Sequence, residues 1–416
     1  MNLFRLSWKN LSNKPLSMAL NLILFALGTG LISLLLLLSS QLQEKFDKNL
    51  AGVDLVIGAK GSPLQLILCS MYHVDSPTGN ISIKAAKPFM RQGHPLIKAA
   101  IPLSMGDNYK SYRIVGTTHD ILALYKGEIA NGKIWEKTWE VTIGAAVAAD
   151  LGLKIGDYFQ SSHGLVTDEG MDATHEGDFQ VVGILKSTGS VLDQLILTSP
   201  QTIWAVHEHG EAGDSTAHAA HAAYDEARPL TDYEDKDITS LLIQFKGRNY
   251  QALNMGRSIN ENTDMQAAMP AFEINRLYAN MGVGADALQA LAVAIIIVSG
   301  LSIFISLFSS LKERRYELAL MRVMGASRRR LFFLIVLEGL ILATLGCIIG
   351  LLLSHGGMAI LANFMKDAYR YTFSAWVFLK EEGILLVAAL GIGIVAAVIP
   401  AIMAGRTDIS ETLAEG

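Results

Sequence analysis

The 416-residue chain is poor in charged residues and in cysteine. Charged residues make up 18%, against roughly 25% in soluble domains, which argues against an ordinary soluble multidomain protein. Two cysteines are too few for a disulfide scaffold or a four-cysteine zinc or iron–sulfur site. The net charge of −5 argues against a basic nucleic-acid-binding protein, and no nucleic-acid partner is expected.

The sequence also lacks the motifs that specify common catalytic sites. It has no phosphate-binding G-x-x-x-x-G-K-[ST], because Gly132 and Lys133 are followed by Ile134 without the upstream glycine. Neither H-E-x-x-H nor G-x-S-x-G occurs. The Asp, Ser and His residues do not have the spacing of a catalytic triad. We therefore expect no catalytic residue and no enzyme activity of the chain on its own, which disfavours a membrane-bound hydrolase.

Long apolar runs are abundant instead. A helix that crosses a bilayer needs about 20 apolar residues, and four runs are that long. The first is longer than the apolar core of a signal peptide and no Ala-x-Ala site follows it, so we interpret it as an uncleaved anchor. The predicted transmembrane helices are residues 16–40, 287–309, 331–354 and 383–404.

Basic residues in the short flanking segments predict the orientation. Lys and Arg concentrate before the first span and in residues 310–330, whereas residues 355–382 carry three. The positive-inside rule places both termini, including the tail 405–416, and the loop 310–330 in the cytoplasm. Residues 41–286 and the short loop 355–382 are then outside. The acidic balance of residues 41–286, with 30 Asp and Glu against 20 Lys and Arg, is compatible, because long loops are translocated regardless of charge.

The first fifteen residues have an amphipathic helical pattern. Arg5 and Lys9 lie away from an apolar face, which suits a helix in the membrane interface. An irregular basic tail is the alternative. The residues predicted to share the apolar face are Leu3, Phe4, Trp8 and Leu11.

Residues 41–286 have the mixed pattern of an α/β domain. The segment 205–237 differs, because it is rich in Ala, Gly, His and acidic residues and predicts a disordered or loosely ordered flexible insert. The expected strands are residues 54–59, 109–115, 140–143, 179–185, 195–197 and 238–245. The expected helices are residues 145–151, 250–260 and 272–281, the last running into the second span.

The cytoplasmic loop 310–330 contains a second amphipathic pattern. Leu318, Met321 and Met324 repeat at helical spacing, and Gly325 is a natural helix stop. Such a helix can dock in a groove of a cytoplasmic partner. A plain positive-inside loop with an interfacial helix explains the same pattern.

Several segments resemble one family. "ERRYELALMRVMGASRRRLF" resembles the signature loop of FtsX-like permeases, the membrane subunits of MacB-type (type VII) ABC transporters. "VTIGAAVAADLGLKIGD" and "FQVVGIL" are similar to the external domain of that family, and "PAIMAGRTDISETL" is similar to its cytoplasmic end. The arrangement of one span, a large domain and three spans is also typical of it. "DLVIGAKGSPLQLILCSMYHVDSPTGN" is less like the macrolide exporters and suggests a distinct subfamily.

The resemblance implies a multi-pass protein of a bacterial inner membrane with a MacB-like periplasmic domain. It implies a second permease copy or paralogue and a separate dimeric ABC ATPase that uses ATP, on which the helix in the loop 310–330 rests. The implied coupling residues are Leu320, Met321 and Met324 in the ATPase groove, with Arg314, Arg315 and Glu317 in polar contacts.

The implied function is mechanotransmission. ATP-driven closure of the ATPase moves the spans and, through them, the periplasmic domain, for export, extraction or release of a periplasmic or membrane substrate. The alternative is a membrane-anchored regulatory scaffold that activates an extracytoplasmic partner, such as a lipoprotein, without transport.

Three residues within the third span stand out. A carboxylate at Glu338 is a functional candidate by default, although it can instead pair with Arg315 or Arg322, or reach the interface. Gly346 and Gly350 form a small-xxx-small pair, which favours close helix packing or arises by chance in a Gly-rich span.

Four histidines fall in the predicted flexible insert. Imidazole and carboxylate are the usual zinc ligands outside thiol sites, and His218 and His221 are one helical turn apart. A weak zinc site is therefore one hypothesis, and a solvated, variable insert without bound metal is the other. The candidate ligands are His207, His209, His218 and His221.

Overall fold

The computed structural model describes residues 3–163, 178–211, 224–226, 228–247, 249–369 and 373–406. The chain divides into two compact units. We call residues 1–42 with 280–416 the helical unit, and residues 43–279 the sheet unit.

The described residues form twelve α-helices. They are α1 Leu3–Ser12, α2 Pro15–Leu50, α3 Pro63–Tyr72, α4 Ile83–Ala86, α5 Asp120–Tyr125, α6 Ala145–Leu151, α7 Pro200–Glu211, α8 Tyr250–Asn262, α9 Pro270–Glu313, α10 Arg315–Val323, α11 Arg328–Tyr369 and α12 Lys380–Arg406. Four of them, α2, α9, α11 and α12, are long and apolar enough to cross a membrane. The predicted class is confirmed: four apolar helices with a large α/β domain between the first and the second.

The strands of the sheet unit are β1 Leu55–Ala59, β2 Ile81–Ser82, β3 Ile97–Tyr109, β4 Tyr112–Thr117, β5 Ile129–Gly132, β6 Glu140–Ile143, β7 Tyr158–Phe159, β8 Ser162–His163, β9 Phe179–Leu185, β10 Ile196–Thr198, β11 Asp237–Ile238, β12 Ser240–Phe245 and β13 Met265–Ala268. The main sheet has the order β13-β1-β12-β3-β4-β10-β6-β9-β5. β10 pairs parallel with β4, and β6 pairs parallel with β9. Along this order the other neighbours are antiparallel.

Three apolar cores stabilise the sheet unit. One is built around α3 and contains Ile67, Leu103 and Leu197. A second packs α4 and α8 against the β1–β12 side, and a third includes Val147 of α6 and Phe179 of β9. Large side chains are buried on both faces of the sheet, and a slip of one residue would move each of them to the opposite face and into a different core.

Glycine brings two membrane helices of the helical unit into close contact. A Cβ atom added at Gly339 of α11 would lie 2.8 Å from the carbonyl oxygen of Gly393, and one added at Gly393 of α12 would lie 3.0 Å from the carbonyl oxygen of Gly339. Without side chains at these two positions the backbones of α11 and α12 approach closely, the typical route to helix association in lipid.

The N-terminal segment is helical, as expected, and packs on α11. Ser7 and Leu11 are buried, and the Ser7 hydroxyl donates to the carbonyl oxygen of Leu334 at 3.3 Å. Of the residues predicted to share the apolar face, Leu11 is buried against the protein, whereas Phe4 and Trp8 are 58% and 44% exposed.

Two strand predictions need correction. Residues 109–115 are not one strand, because Lys110 and Ser111 adopt φ of 46° and 65° and form the turn between β3 and β4. The thirteen-residue β3 was not among the expected strands, and both Pro102 and Gly106 lie within it. By contrast, β6, α6 and β9 have the predicted bounds.

The predicted insert 205–237 is wrong at both described ends. Its first part belongs to α7, in which Ala205 and Val206 are buried. At its other end, Tyr224 and Tyr233 pack against Trp204 at ring-centroid distances of 5.9 and 5.5 Å. Aromatic residues therefore anchor this end in a core, while residues 212–223 lie outside the described residues.

Candidate functional site

The short helix α10 lies between α9 and α11. α9 ends at Glu313, and Arg314 breaks the helical path with φ of −105° and ψ of 16°. α10 ends at Val323, and Gly325 has the left-handed φ of 98° that the predicted helix stop requires. The Ser327 hydroxyl then accepts from the backbone N–H of Arg330 at 3.4 Å, at the start of α11.

The two sides of α10 differ in burial. Leu318 and Ala319 are 4% and 0% exposed, and Leu318 belongs to the core of the helical unit. Four large apolar side chains are exposed: Tyr316, Leu320, Val323 and Met324, at 51, 43, 59 and 71%. We call these four residues the exposed stripe. Their spacing of three or four residues places them along one side of the helix.

The six residues proposed to contact an ATPase fall into three groups. Leu320 and Met324 lie on the exposed stripe, and Arg315 and Glu317 are exposed. Met321 is half-buried and packs against the core of the helical unit. Arg314 is also half-buried. Sequence periodicity grouped Met321 with Met324, whereas burial of Leu318 and Ala319 turns Tyr316 and Val323 outward.

Arg314 belongs to a polar cluster with Glu338 and Asn10. Glu338 is 1% exposed and accepts from the Asn10 amide at 2.8 Å. The nearer guanidinium nitrogen of Arg314 lies 3.7 Å from the Glu338 carboxylate, and another donates to the backbone carbonyl of Asn10 at 3.1 Å. The sequence suggested Arg315 or Arg322 as the basic partner of Glu338, whereas the basic residue beside Glu338 in the structure is Arg314. This cluster joins α1, the start of α10 and α11.

Gly346 and Gly350 face α2. A Cβ atom at Gly346 would lie 2.8 Å from Cβ of Phe25. One at Gly350 would lie 2.1 Å from the Thr29 hydroxyl oxygen and 2.7 Å from the Ala26 carbonyl oxygen. These two positions therefore let α11 approach α2 closely.

A second buried polar cluster was not found from the sequence. The Ser33 hydroxyl of α2 donates to the Glu382 carboxylate of α12 at 2.9 Å and lies 2.8 Å from the Ser354 hydroxyl of α11. His355 Nε2 is 3.2 Å from the same carboxylate, and its Nδ1 is 2.5 Å from the Ala375 carbonyl oxygen. Glu382 is 5% exposed. The only signal in the sequence was an acidic residue directly before an apolar run.

The histidine hypothesis is largely outside the described residues. His207 lies on α7, with Nε2 4.0 Å from a carboxylate oxygen of the buried Asp107. The backbone of His209 is helical, its side chain is not described, and His218 and His221 are not described. Within the part of the chain that the structure describes, no group of three or more His, Cys, Asp or Glu is placed to hold a metal ion.

Family models match both units. A MacB-like periplasmic core domain matches residues 18–233. An FtsX-like permease C-terminal domain matches residues 290–409, which contain α10, α11 and α12. No curated protein matches the chain.

Three solved structures resemble part of the chain. The periplasmic region of MacB from Actinobacillus actinomycetemcomitans is 11% identical, with 57% of this chain and 98% of that chain covered and a TM-score of 0.33. The extracellular domain of the noncanonic ABC-type transporter YknZ from Gram-positive bacteria is 12% identical, with 52% and 98% covered and a TM-score of 0.29. A domain of a putative permease protein from Porphyromonas gingivalis is 10% identical, with 52% and 86% covered and a TM-score of 0.25.

Proposed function

We propose a function for this chain on the basis of its family. The chain belongs to the ABC-transporter permeases with a MacB-like periplasmic core domain and an FtsX-like C-terminal domain. Permeases of this family work with a cytoplasmic ABC ATPase. In our proposal, the chain is the membrane subunit that passes movement of the ATPase to the periplasmic sheet unit. The resulting motion serves export, extraction or release of a periplasmic or membrane substrate.

The observation that carries the proposal is the exposed stripe of α10. The flanking segment 310–330 is rich in Lys and Arg, which favours the cytoplasmic side for this helix. Four adjacent large apolar side chains on the aqueous side are costly to leave uncovered, and such a patch is typical of an interaction site. A short amphipathic helix that fits into a groove of the ATPase would cover them.

The buried side of α10 supplies a route for the movement. Leu318 and Ala319 pack into the helical unit, and Arg314 contacts both Glu338 and Asn10. A displacement of α10 therefore disturbs α11 and α1 unless these contacts break. Packed elements of this kind transmit displacement because protein interiors are close-packed and have low compressibility.

Two of the membrane helices are longer than a crossing of the hydrocarbon layer requires. α2 has 36 residues and α9 has 44. At about 1.5 Å per residue these helices are about 54 and 66 Å long, against about 30 Å for the hydrocarbon core. Residues 43–50 of α2 and 270–279 of α9 belong to the sheet unit. In the proposed mechanism, movement along these helices reaches the periplasmic side without a polar channel through the spans.

The test replaces two residues of the exposed stripe, Leu320→Asp together with Val323→Asp. Each aspartate would carry an uncompensated charge into the ATPase groove. We expect the free energy of binding to the ATPase to weaken by about 2 kcal/mol or more, as at an interface hot spot. This corresponds to a rise of roughly thirtyfold in Kd. Co-purification with the ATPase and stimulation of its activity by the permease measure the effect in detergent or nanodiscs.

Leu253→Asp is the matched control, because Leu253 of α8 is 54% exposed and lies in the sheet unit. It should leave ATPase association unchanged. Met321→Asp is a poorer probe, since a charge at this half-buried position also disturbs the helical unit itself. Normal association and activity of the double variant would contradict the proposal and leave α10 as a topology signal only.

A further inference from the structure

The sheet unit contains a cavity of about 960 Å³ at the ends of two parallel strands. β4 ends at Thr117 and its parallel neighbour β10 ends at Thr198. Thr117, Thr118, Ser199 and Pro200 all line the cavity. The carboxyl ends of parallel strands are where α/β sheets commonly bind ligands. The volume is at the upper end of the range of about 300–1,000 Å³ for ligand pockets.

One buried polar group in the cavity wall has no hydrogen-bond partner. The side chain of Thr117 is 1% exposed, and its hydroxyl oxygen has no hydrogen-bond partner among the described residues. Leaving a buried polar group unpaired costs about 1–3 kcal/mol. Gln201, which is 3% exposed, also lines the cavity, and its primary amide can both donate and accept. These two side chains match the C=O and N–H groups of a peptide.

The charged lining of the cavity favours an anion. Four basic residues line it against two acidic ones: Lys84, Lys87, Arg91 and Arg228 against Asp120 and Glu226. Lys87 is already paired with Glu234 at 2.5 Å. Arg228 lies over the Tyr233 ring. Lys84 and Arg91 are exposed and make no direct ion pair within the described part of the chain. Lys84 lies close enough to Glu234 to help lower its pKa, and Arg91 is the less engaged of the two.

The start of α7 argues against a phosphate as that anion. A helix N-terminus is the usual place for phosphate. Here the Ser199 hydroxyl accepts from the backbone N–H of Thr202 at 3.3 Å and donates to the Glu226 carboxylate at 2.7 Å. Thr138 donates to the same carboxylate at 3.0 Å. The position that a phosphate would take is thus filled by a carboxylate of the chain itself.

Much of the remaining lining is apolar, and its prolines offer no backbone donors, because proline lacks an N–H group. It includes Pro88, Met90, Pro102, Trp135, Pro200, Pro229 and Leu230. We propose that this cavity binds a short acidic peptide segment, with carboxylates at Lys84 and Arg91 and apolar side chains against the prolines. The peptide groups of that segment would pair with Thr117 and Gln201. The inference rests on the proposed function only in placing the sheet unit outside the cell, where an acidic segment of a periplasmic protein would reach it.

The experiment uses the full chain in nanodiscs and fluorescein-labelled (Glu-Leu)₃ peptide, with binding followed by fluorescence anisotropy. Lys84→Gln with Arg91→Gln should weaken binding at least tenfold. Lys154→Gln with Lys246→Gln, two exposed lysines outside the cavity lining, is the matched control and should bind as the parent does. The labelled (Lys-Leu)₃ peptide should not bind.

Thr117→Val separates a ligand contact from a structural role. It removes an unpaired buried hydroxyl and keeps the branched shape, so the folded protein should be as stable as the parent or more so. Binding of (Glu-Leu)₃ should nevertheless fall severalfold.

Two results would overturn the inference: equal binding by the Lys84/Arg91 variant and its control, or no binding of the acidic peptide to the parent chain. Displacement of the peptide by millimolar inorganic phosphate would also contradict the inference, because the cavity would then be a phosphate site rather than a peptide site. Because no ATPase is present in this assay, its outcome is independent of whether α10 couples to one.

Discussion

The contact between α2 and α11 gives the sharpest prediction about the helical unit. In Gly350→Ala, the new Cβ atom would lie 2.1 Å from the Thr29 hydroxyl oxygen, 2.7 Å from the Ala26 carbonyl oxygen and 3.0 Å from the Gly30 backbone nitrogen. Ordinary contact between nonbonded heavy atoms is about 3.5 Å or more. Thr29 can rotate, but the other two atoms are backbone, so the helices must separate.

The magnitude follows from this difference between side chain and backbone. Overpacking typically costs about 1–3 kcal/mol, and the upper half of that range applies because two backbone atoms cannot give way. Glycine to alanine inside a helix gains about 1 kcal/mol from helix propensity. We therefore expect Gly350→Ala to destabilise the helical unit by about 1–2 kcal/mol net.

Gly356→Ala is the matched control on the same helix, because an added Cβ atom there meets no atom within 4 Å. It should be neutral or stabilising by up to about 1 kcal/mol. Thermal unfolding in nanodiscs, with ATPase stimulation as a second readout, measures both variants. Equal melting temperatures for Gly350→Ala and Gly356→Ala would refute the close contact between α2 and α11.

Three further predictions concern pH, topology and the buried ion pair. Burial lowers the pKa of His73 to about 3. Below about pH 6.5 the imidazole is therefore protonated in the unfolded state but still neutral in the folded state. The free energy of unfolding should fall by about 2 kcal/mol from pH 7 to pH 5. His73→Asn should abolish that dependence in denaturation followed by tryptophan fluorescence, and an unchanged slope would assign it to other groups. In intact cells an impermeant maleimide should label Tyr250→Cys and not Ser327→Cys, both exposed positions, while the two native cysteines are buried; labelling at 327 would reverse the topology. Arg314→Met, which leaves a buried carboxylate without its base, should cost about 3 kcal/mol in thermal unfolding, whereas Arg315→Met at an exposed position should cost almost nothing, and equal effects would contradict the ion pair.

Local patterns predicted local elements well. β6 and α6 have the predicted bounds because glycines at positions 144 and 152 flank α6, and the left-handed φ of 67° at Gly152 ends it. β3 could not be predicted in the same way. Pro102 and Gly106 suggest breaks, yet the long pairing of β3 with β4 and β12 holds the strand together. Tertiary pairing overrides local propensity in such strands.

The candidate site was predictable in position and only partly in orientation. Helical spacing in the loop 310–330 indicated an amphipathic helix, and the family resemblance indicated its partner. Spacing does not tell which side of a short helix faces its own protein. That choice depends on the burial of Leu318 and Ala319, and it moves Met321 off the exposed side and adds Val323 to it.

Contacts between distant residues were beyond the sequence. Asn10 and Glu338 are 328 residues apart, and Ser33 and Glu382 are 349 residues apart. No alternation or spacing connects such positions. A single serine in an apolar run gives no sign that it supplies a hydrogen bond to a carboxylate on another helix.

The cluster around Glu382 has a consequence for membrane insertion during synthesis. A carboxylate at the start of α12 opposes entry of that helix into lipid, because the side chain that donates to it, Ser33, lies on another helix. The donor Ser33 on α2 and the neighbouring His355 on α11 are both translated earlier. α12 leaves the ribosome after them and can enter a bundle in which they are already present. A split or rearranged gene that delivers α12 before α2 should therefore yield a chain whose last helix inserts poorly and is cleared by proteolysis.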